Sequence, residues 1–237
     1  MVQSDKIFQQ IFIKTQNQLN LNPKKLKKEL MKKLINLFQI AGWSYVIIDV
    51  IFNILEKPEK FLDQSSENTF SRAIFVMRIV QTAQFIDFIQ SSGNLVSVFA
   101  QYLGRMIVAW LYMSEVVPTC YATSVLLAWS TADIIRYLYY ISKSDIVAFF
   151  RYNAFLILYP VGVFLGEIFC IQYTLAKLNP TSDFYDIQYY FGKFVQVAVC
   201  IGMPLLYAYL LKVRSKFYSK RESTKQVKQT KSQQKRD

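Results

Sequence analysis

The chain has 237 residues, 28 Lys and Arg against 16 Asp and Glu for a net charge of +12, and no histidine. The missing histidine excludes a Ser-His-Asp triad, a Cys-His dyad and any His-ligated zinc or haem. Acid–base chemistry therefore falls to Tyr, Glu, Asp, Lys or Cys.

In chain order, residues 1–33 form a basic flank with eight Lys against two acids, Asp5 and Glu29, for +6. A first apolar stretch runs over 34–55, broken only by Asp49. Residues 72–91 hold Arg72, Arg78 and Asp87 but keep an apolar face, and read as a span facing protein. Further apolar stretches cover 95–112 with Arg105 inside, 117–141 with Asp133 and Arg136, 146–172 with Arg151 and Glu167, and 187–211 with Lys193. A bilayer core takes roughly 20 apolar residues per helix, so the expectation is an all-α polytopic membrane protein. Its six transmembrane helices form one bundle over 34–211. The segment 212–237 holds ten Lys and Arg against two acids, for +8, and its Lys/Gln/Ser-rich end reads as a disordered tail. The body between the flanks carries −2. Six spans put both basic ends on one side, as the positive-inside rule asks. The connections near 56–71 and 173–186 then face the other side. The basic ends lack interleaved aromatics and any recognised module, so no nucleic-acid partner is expected. Cys120, Cys170 and Cys200 are scattered with no CxxC pair and read as small buried hydrophobes.

Ionisable groups inside spans are costly and are functional candidates by default. Asp133 and Arg136 lie three apart on one helical face and can pair. Arg105 answers an acid on another helix, and Gln81, Gln84, Gln90 and Gln101 are candidates for bonds across helices. The densest segment runs from Arg151, Tyr152 and Asn153 through Tyr159, Pro160, Gly162 and Gly166 to Glu167. Tyr152 and Tyr159, seven apart, share a face. Pro160 removes a backbone donor, and the glycines allow close approach. A Tyr and a buried Glu can pass a proton on and take one off without histidine. An interfacial Tyr and a Glu paired to Arg fit the same spacing.

These residues carry a resemblance. Ala41-Gly42-Trp43, Gln81-Thr82, Gln101 and Arg105, the block Trp129-Ser130…Asp133-Ile134-Ile135-Arg136-Tyr137, and Arg151-Tyr152-Asn153 with Leu158-Tyr159-Pro160-Val161-Gly162 stand in order along the body. Together they resemble the 3-hydroxyacyl-CoA dehydratase family, also called protein-tyrosine-phosphatase-like proteins. The resemblance implies six spans in the endoplasmic reticulum with both termini cytosolic. It implies the third step of very-long-chain fatty-acid elongation, loss of water from a (3R)-3-hydroxyacyl-CoA to give the trans-2-enoyl-CoA. It implies a catalytic pair at Tyr159 and Glu167, supported by Asp133, Arg136, Tyr137, Arg151, Tyr152, Asn153 and Gly162, with no metal and no cofactor. The implied partners are an acyl-CoA, membrane lipid and other elongation enzymes. A tunnel between spans would shelter the acyl chain, and the basic face would attract the CoA phosphates.

Three departures stand out. The family separates its Tyr and Glu by seven residues, which places them within about 20° on a helix. Here the separation is eight, about 80° the other way, and a π-bulge would absorb the extra residue. The family's Glu in the Trp block is Asp133 here, and its second-span Glu and His are Asp87 and Gln90. The alternative expectation is a degenerate member acting as a structural subunit of a larger membrane complex, with the mitochondrial inner membrane as its alternative location. A channel or transporter finds no half-helix pair or repeat.

Overall fold

A computed structural model describes residues 23–62, 69–86, 95–114 and 116–233, and among these the protein is all-α. The helices are α1 (Pro23–Glu56), α2 (Pro58–Leu62), α3 (Ser71–Ala83), α4 (Leu95–Ile107), α5 (Thr119–Ser142), α6 (Asp145–Asn153), α7 (Phe155–Gly162), α8 (Ile168–Ala176) and α9 (Tyr185–Gln233). Two π-helical turns interrupt them, Val108–Tyr112 after α4 and Val163–Glu167 between α7 and α8.

α5 is the hub. It packs on α1, α6, α7 and the second π-turn, with smaller contacts to α2, α3 and α8. Its buried side chains include Val125, Leu126, Trp129, Ser130, Asp133 and Tyr137. Because its surroundings are largely protein, it tolerates Thr, Ser, Trp and charge that a lipid-facing helix would not. α5 turns into α6 through Lys143, the one non-Gly residue with positive φ (48°) among the described residues. Ser144 then caps α6, its Oγ accepting from Val147 N–H at 3.3 Å.

Polar side chains join α1 to α3. Gln39 Nε2 donates to the Val80 carbonyl at 3.1 Å, and Trp43 Nε1 donates to Gln39 Oε1 at 3.1 Å. Gly42 sits directly against Val80, where any Cβ would collide. Arg78 of α3 donates from Nε to the Ala109 carbonyl at 3.0 Å and from Nη2 to the Met113 carbonyl at 2.7 Å. It thereby serves backbone oxygens in and just after the first π-turn, which a charge within an apolar bundle needs.

The outer face is apolar. Phe52, Ile157, Phe194 and Leu205 are each more than 60% exposed, among many other large hydrophobics. A water-facing surface of that kind would be unstable as a monomer, whereas lipid solvates it. Three helical stretches are long and apolar enough to cross a membrane: Leu26–Glu56, Asp145–Ala176 and Tyr185–Ser223. They match the expected spans 34–55, 146–172 and 187–211. The other three expected spans fall on shorter or more polar helices: α3, α4 with its π-turn, and α5. Asp87 and Gln90 lie outside the described residues.

Two expectations are corrected. Of the three cysteines expected to be buried, Cys170 is, Cys120 is half-buried and Cys200 is exposed on the outer apolar face of α9. The segment after Tyr218, read as a disordered tail, continues α9 as helix to Gln233. No Gly or Pro follows Pro204, and the Lys, Arg, Glu and Gln of the segment are good helix formers, so nothing local ends the helix where the apolar stretch stops.

Candidate active site

The segment 151–167 runs antiparallel to α5 from the tight turn at Lys143 and Ser144. Its register is set by the two glycines. A Cβ on Gly162 would lie 3.1 Å from Ala128 Cβ, and one on Gly166 would lie 2.5 Å from Val125 Cγ2 and 3.1 Å from the Val125 amide. Small residues four apart let the two backbones approach. That approach brings Glu167 against Trp129, whose Nε1 donates to Glu167 Oε1 at 2.8 Å. Both side chains are buried.

The eight-residue separation of Tyr159 and Glu167 comes with the π-turn expected to absorb it. Residues Val163–Glu167 form a π-turn, closed by the Ile168 N–H on the Val163 carbonyl, five residues back. A π-turn absorbs one residue without rotating the helix beyond it, so a separation of eight acts as the seven of an unbroken α-helix. Tyr159, two helical turns before Glu167 on the same segment, is half-buried. The Tyr159 ring stacks on Tyr207 of α9, centroids 6.2 Å apart and 24° from parallel.

Beside this pair lies a buried ionic cluster. Asp133 accepts from Arg105 Nη1 at 2.9 Å and from Arg136 Nη2 at 3.0 Å. Gln84 Nε2 donates to it as well, at 2.9 Å. Arg136 Nη2 also donates to Tyr137 Oη at 3.0 Å. The pairing expected of Asp133 and Arg136 is present, and Asp133 is the acid on another helix that Arg105 answers. Arg105 also sits over the Trp129 ring, 4.4 Å from its centroid, and 5.9 Å from that of Trp43. One cluster therefore links α3, α4 and α5 to Glu167 through Arg105 and Trp129.

Three expected supporting residues sit elsewhere. Arg151 lies over Tyr139 and Tyr140, 5.4 and 5.2 Å from their centroids. Tyr152 stacks on Phe217 at 3.9 Å. Asn153 donates to Tyr218 Oη at 2.7 Å and accepts from Arg214 Nε at 3.0 Å. This second group tethers α6 to α9. It stands seven residues before Tyr159, about 10 Å along the helix, toward the basic ends, and its hydrogen bonds and ring contacts are separate from those of Glu167.

Sequence reasoning did not place Trp129, Gln84 or Tyr207 at the site and gave Arg105 only a pairing role. A Trp four residues before Asp133, on the same helix face, was the available signal for Trp129. Tyr207, on a different helix, had none.

The arrangement is a membrane-type helical protein with a Tyr hydroxyl and a buried carboxyl on one helical segment, the carboxyl held by Trp129 and an Arg guanidinium lying over that Trp ring, residue types suited to moving protons. Residues 70–220 match the family described as protein tyrosine phosphatase-like protein, PTPLA. The chain is 30% identical over 202 residues to very-long-chain (3R)-3-hydroxyacyl-CoA dehydratase 1 of Canis lupus familiaris, covering 76% of this chain and 79% of that one. It is 26% identical over 212 residues to the dehydratase PASTICCINO 2 of Arabidopsis thaliana, covering 79% and 92%. It is 26% identical over 208 residues to the dehydratase hpo-8 of Caenorhabditis elegans, covering 76% and 91%. No solved structure matches it. The chain belongs to the protein tyrosine phosphatase-like family.

Proposed function

We propose that the protein is a membrane 3-hydroxyacyl-CoA dehydratase, removing water from a (3R)-3-hydroxyacyl-CoA to give the trans-2-enoyl-CoA. Tyr159 and Glu167 are its proton-transferring pair. The observation that carries this reading is the π-turn at Val163–Glu167, which keeps Glu167 on the Tyr159 face despite the added residue. Family membership and the names of the relatives support the reaction class.

The elimination breaks the Cα–H and Cβ–O bonds and forms the Cα=Cβ bond. One group takes the α-proton and the other gives a proton to the departing hydroxyl. Proton exchange within the pair resets it after turnover. Trp129 holds one oxygen of Glu167 and leaves the other for the substrate. Arg136, Asp133 and Tyr137 position Arg105 and Trp129. Arg151, Asn153 and Arg214, at the basic end, suit the CoA phosphates, with the thioester reaching inward to Tyr159.

In this reading the chain spans the endoplasmic reticulum membrane six times with both basic ends in the cytosol, and other elongation enzymes are its natural partners. The structural-subunit alternative draws on the shifted Glu, which the π-turn accommodates, and on a shortened stretch between the second and third spans, much of which lies outside the described residues. A mitochondrial placement has no support from relatives named as very-long-chain acyl-CoA dehydratases. The test is turnover of a 3-hydroxyacyl-CoA by purified protein, with Tyr159→Phe and Glu167→Gln as controls.

A further inference from the structure

We propose that Arg105 binds the substrate directly, donating from Nε and Nη2 to the thioester carbonyl oxygen while Nη1 stays on Asp133. This rests on the dehydratase reading above. A guanidinium carries five N–H donors in a fixed fork. Arg105 directs Nη1 to Asp133 at 2.9 Å, and its side chain is 12% exposed. Its Nε and Nη2 are buried and have no hydrogen-bond partner among the described residues. Unused donors on a buried cation are costly to keep. The Trp129 and Trp43 rings fix where the guanidinium sits, and Trp129 in turn holds Glu167 at 2.8 Å.

The chemistry needs such a donor. When the α-proton leaves, the electron pair of the Cα–H bond moves toward the thioester carbonyl, and negative charge gathers on its oxygen. The charge returns as the Cα=Cβ bond forms and the Cβ–O bond breaks, with the hydroxyl leaving as water. Nothing is oxidised or reduced. Donors already aimed at that oxygen lower the barrier. Among the described residues, the charged and proton-transferring groups nearby have tasks of their own. Tyr159 and Glu167 handle the two protons, Trp129 Nε1 is on Glu167, and Asp133 accepts from three side chains. Arg105 combines positive charge with two buried donors that no described residue engages.

The experiment is isotope-edited infrared spectroscopy of trans-2-enoyl-CoA, labelled with 13C at the thioester carbonyl and bound to the full chain in nanodiscs, together with steady-state kinetics. Wild type should turn over 3-hydroxyacyl-CoA and move the bound carbonyl band to lower frequency. Arg105→Lys keeps a positive charge facing Asp133 but loses the second and third donors in the fork. It should lose ~100- to 1000-fold in kcat, the typical cost of an oxyanion donor, with KM changed little and the band back near its free position. The double variant Arg105→Met with Asp133→Asn keeps the net charge of the cluster and should behave likewise. Tyr159→Phe should be inactive yet keep the shifted band, which a merely structural role for Arg105 does not predict. A folded Arg105→Lys that keeps the band shift, or keeps kcat within about threefold, a loss far below that of an oxyanion donor, overturns the inference and leaves the dehydratase reading standing. A folded wild type that makes no enoyl-CoA overturns both.

Discussion

Deleting Leu165 tests whether the π-turn is what makes the site work. Leu165 lies inside the turn and is 54% exposed on the outer face, so its loss removes little packing. The deletion restores a separation of seven, and the π-turn should relax to α-helix. Everything from Gly166 onward then keeps its place, including Glu167 on Trp129. Inserting one Ala between Leu165 and Gly166 does the opposite. If the turn cannot absorb a second residue, Glu167 rotates by about 100°, and even its Cα, about 2.3 Å from the helix axis, swings by roughly 3.5 Å. Misplacement by 1 Å can cost about 100-fold in rate, so the insertion should lose at least that much. The assay is enoyl-thioester formation from 3-hydroxyacyl-CoA by protein in nanodiscs, with monodispersity and melting checked first. The deletion should retain activity within a few-fold. A folded deletion variant as inactive as the insertion would refute the alignment argument, because the π-turn would then be required for itself.

The same contacts set the outcome of four further changes. Trp129→Phe keeps an aromatic face for Arg105 but removes the donor to Glu167. A hydrogen bond to a charged group is worth about 1.5–3 kcal/mol of stability, so melting should fall, and kcat should fall by at least ~10-fold as Glu167 loses the contact that orients it. Asp133→Asn leaves Arg105 and Arg136 facing each other without their carboxylate. Breaking a buried pair costs about 3–5 kcal/mol, to be read as a loss of stability in denaturant unfolding. Gly162→Val places two methyl groups toward Ala128, already 3.1 Å from the first Cβ. Overpacking costs about 1–3 kcal/mol, and the separation of α5 from α7 should lower activity further. Truncation after Glu222 removes helix beyond the last ion pair seen on α9, Arg221 to Asp145 at 2.9 Å on the surface. Melting should not move, since the Arg221–Asp145 pair is kept and the removed sequence brings a single apolar residue, Val227, to bury.

The sequence was most informative where a spacing decides a geometry. Asp133 and Arg136 pair because i and i+3 share a helix face, and the π-turn follows from counting eight residues where seven are wanted. It was least informative where two helices meet. The bond from Trp129 to Glu167 depends on Gly162 lying against Ala128 and Gly166 against Val125, a register that neither helix specifies alone. The Tyr159 stack on Tyr207 likewise depends on how α9 crosses the bundle. The split of the 151–167 block was hidden for a related reason. Tyr152 and Tyr159 do share a face toward α9, but they meet Phe217 and Tyr207 respectively, ten residues apart on that helix. The helical end of α9 was missed because a polar composition suits a solvated helix as well as a disordered tail.

The central claim is that Tyr159 and Glu167 together dehydrate a 3-hydroxyacyl-CoA, and turnover by purified protein tests it most directly. The expected result is enoyl-CoA from wild type and none from folded Tyr159→Phe or folded Glu167→Gln. Wild-type protein that folds yet forms no enoyl-CoA, or either variant at full activity, would contradict it.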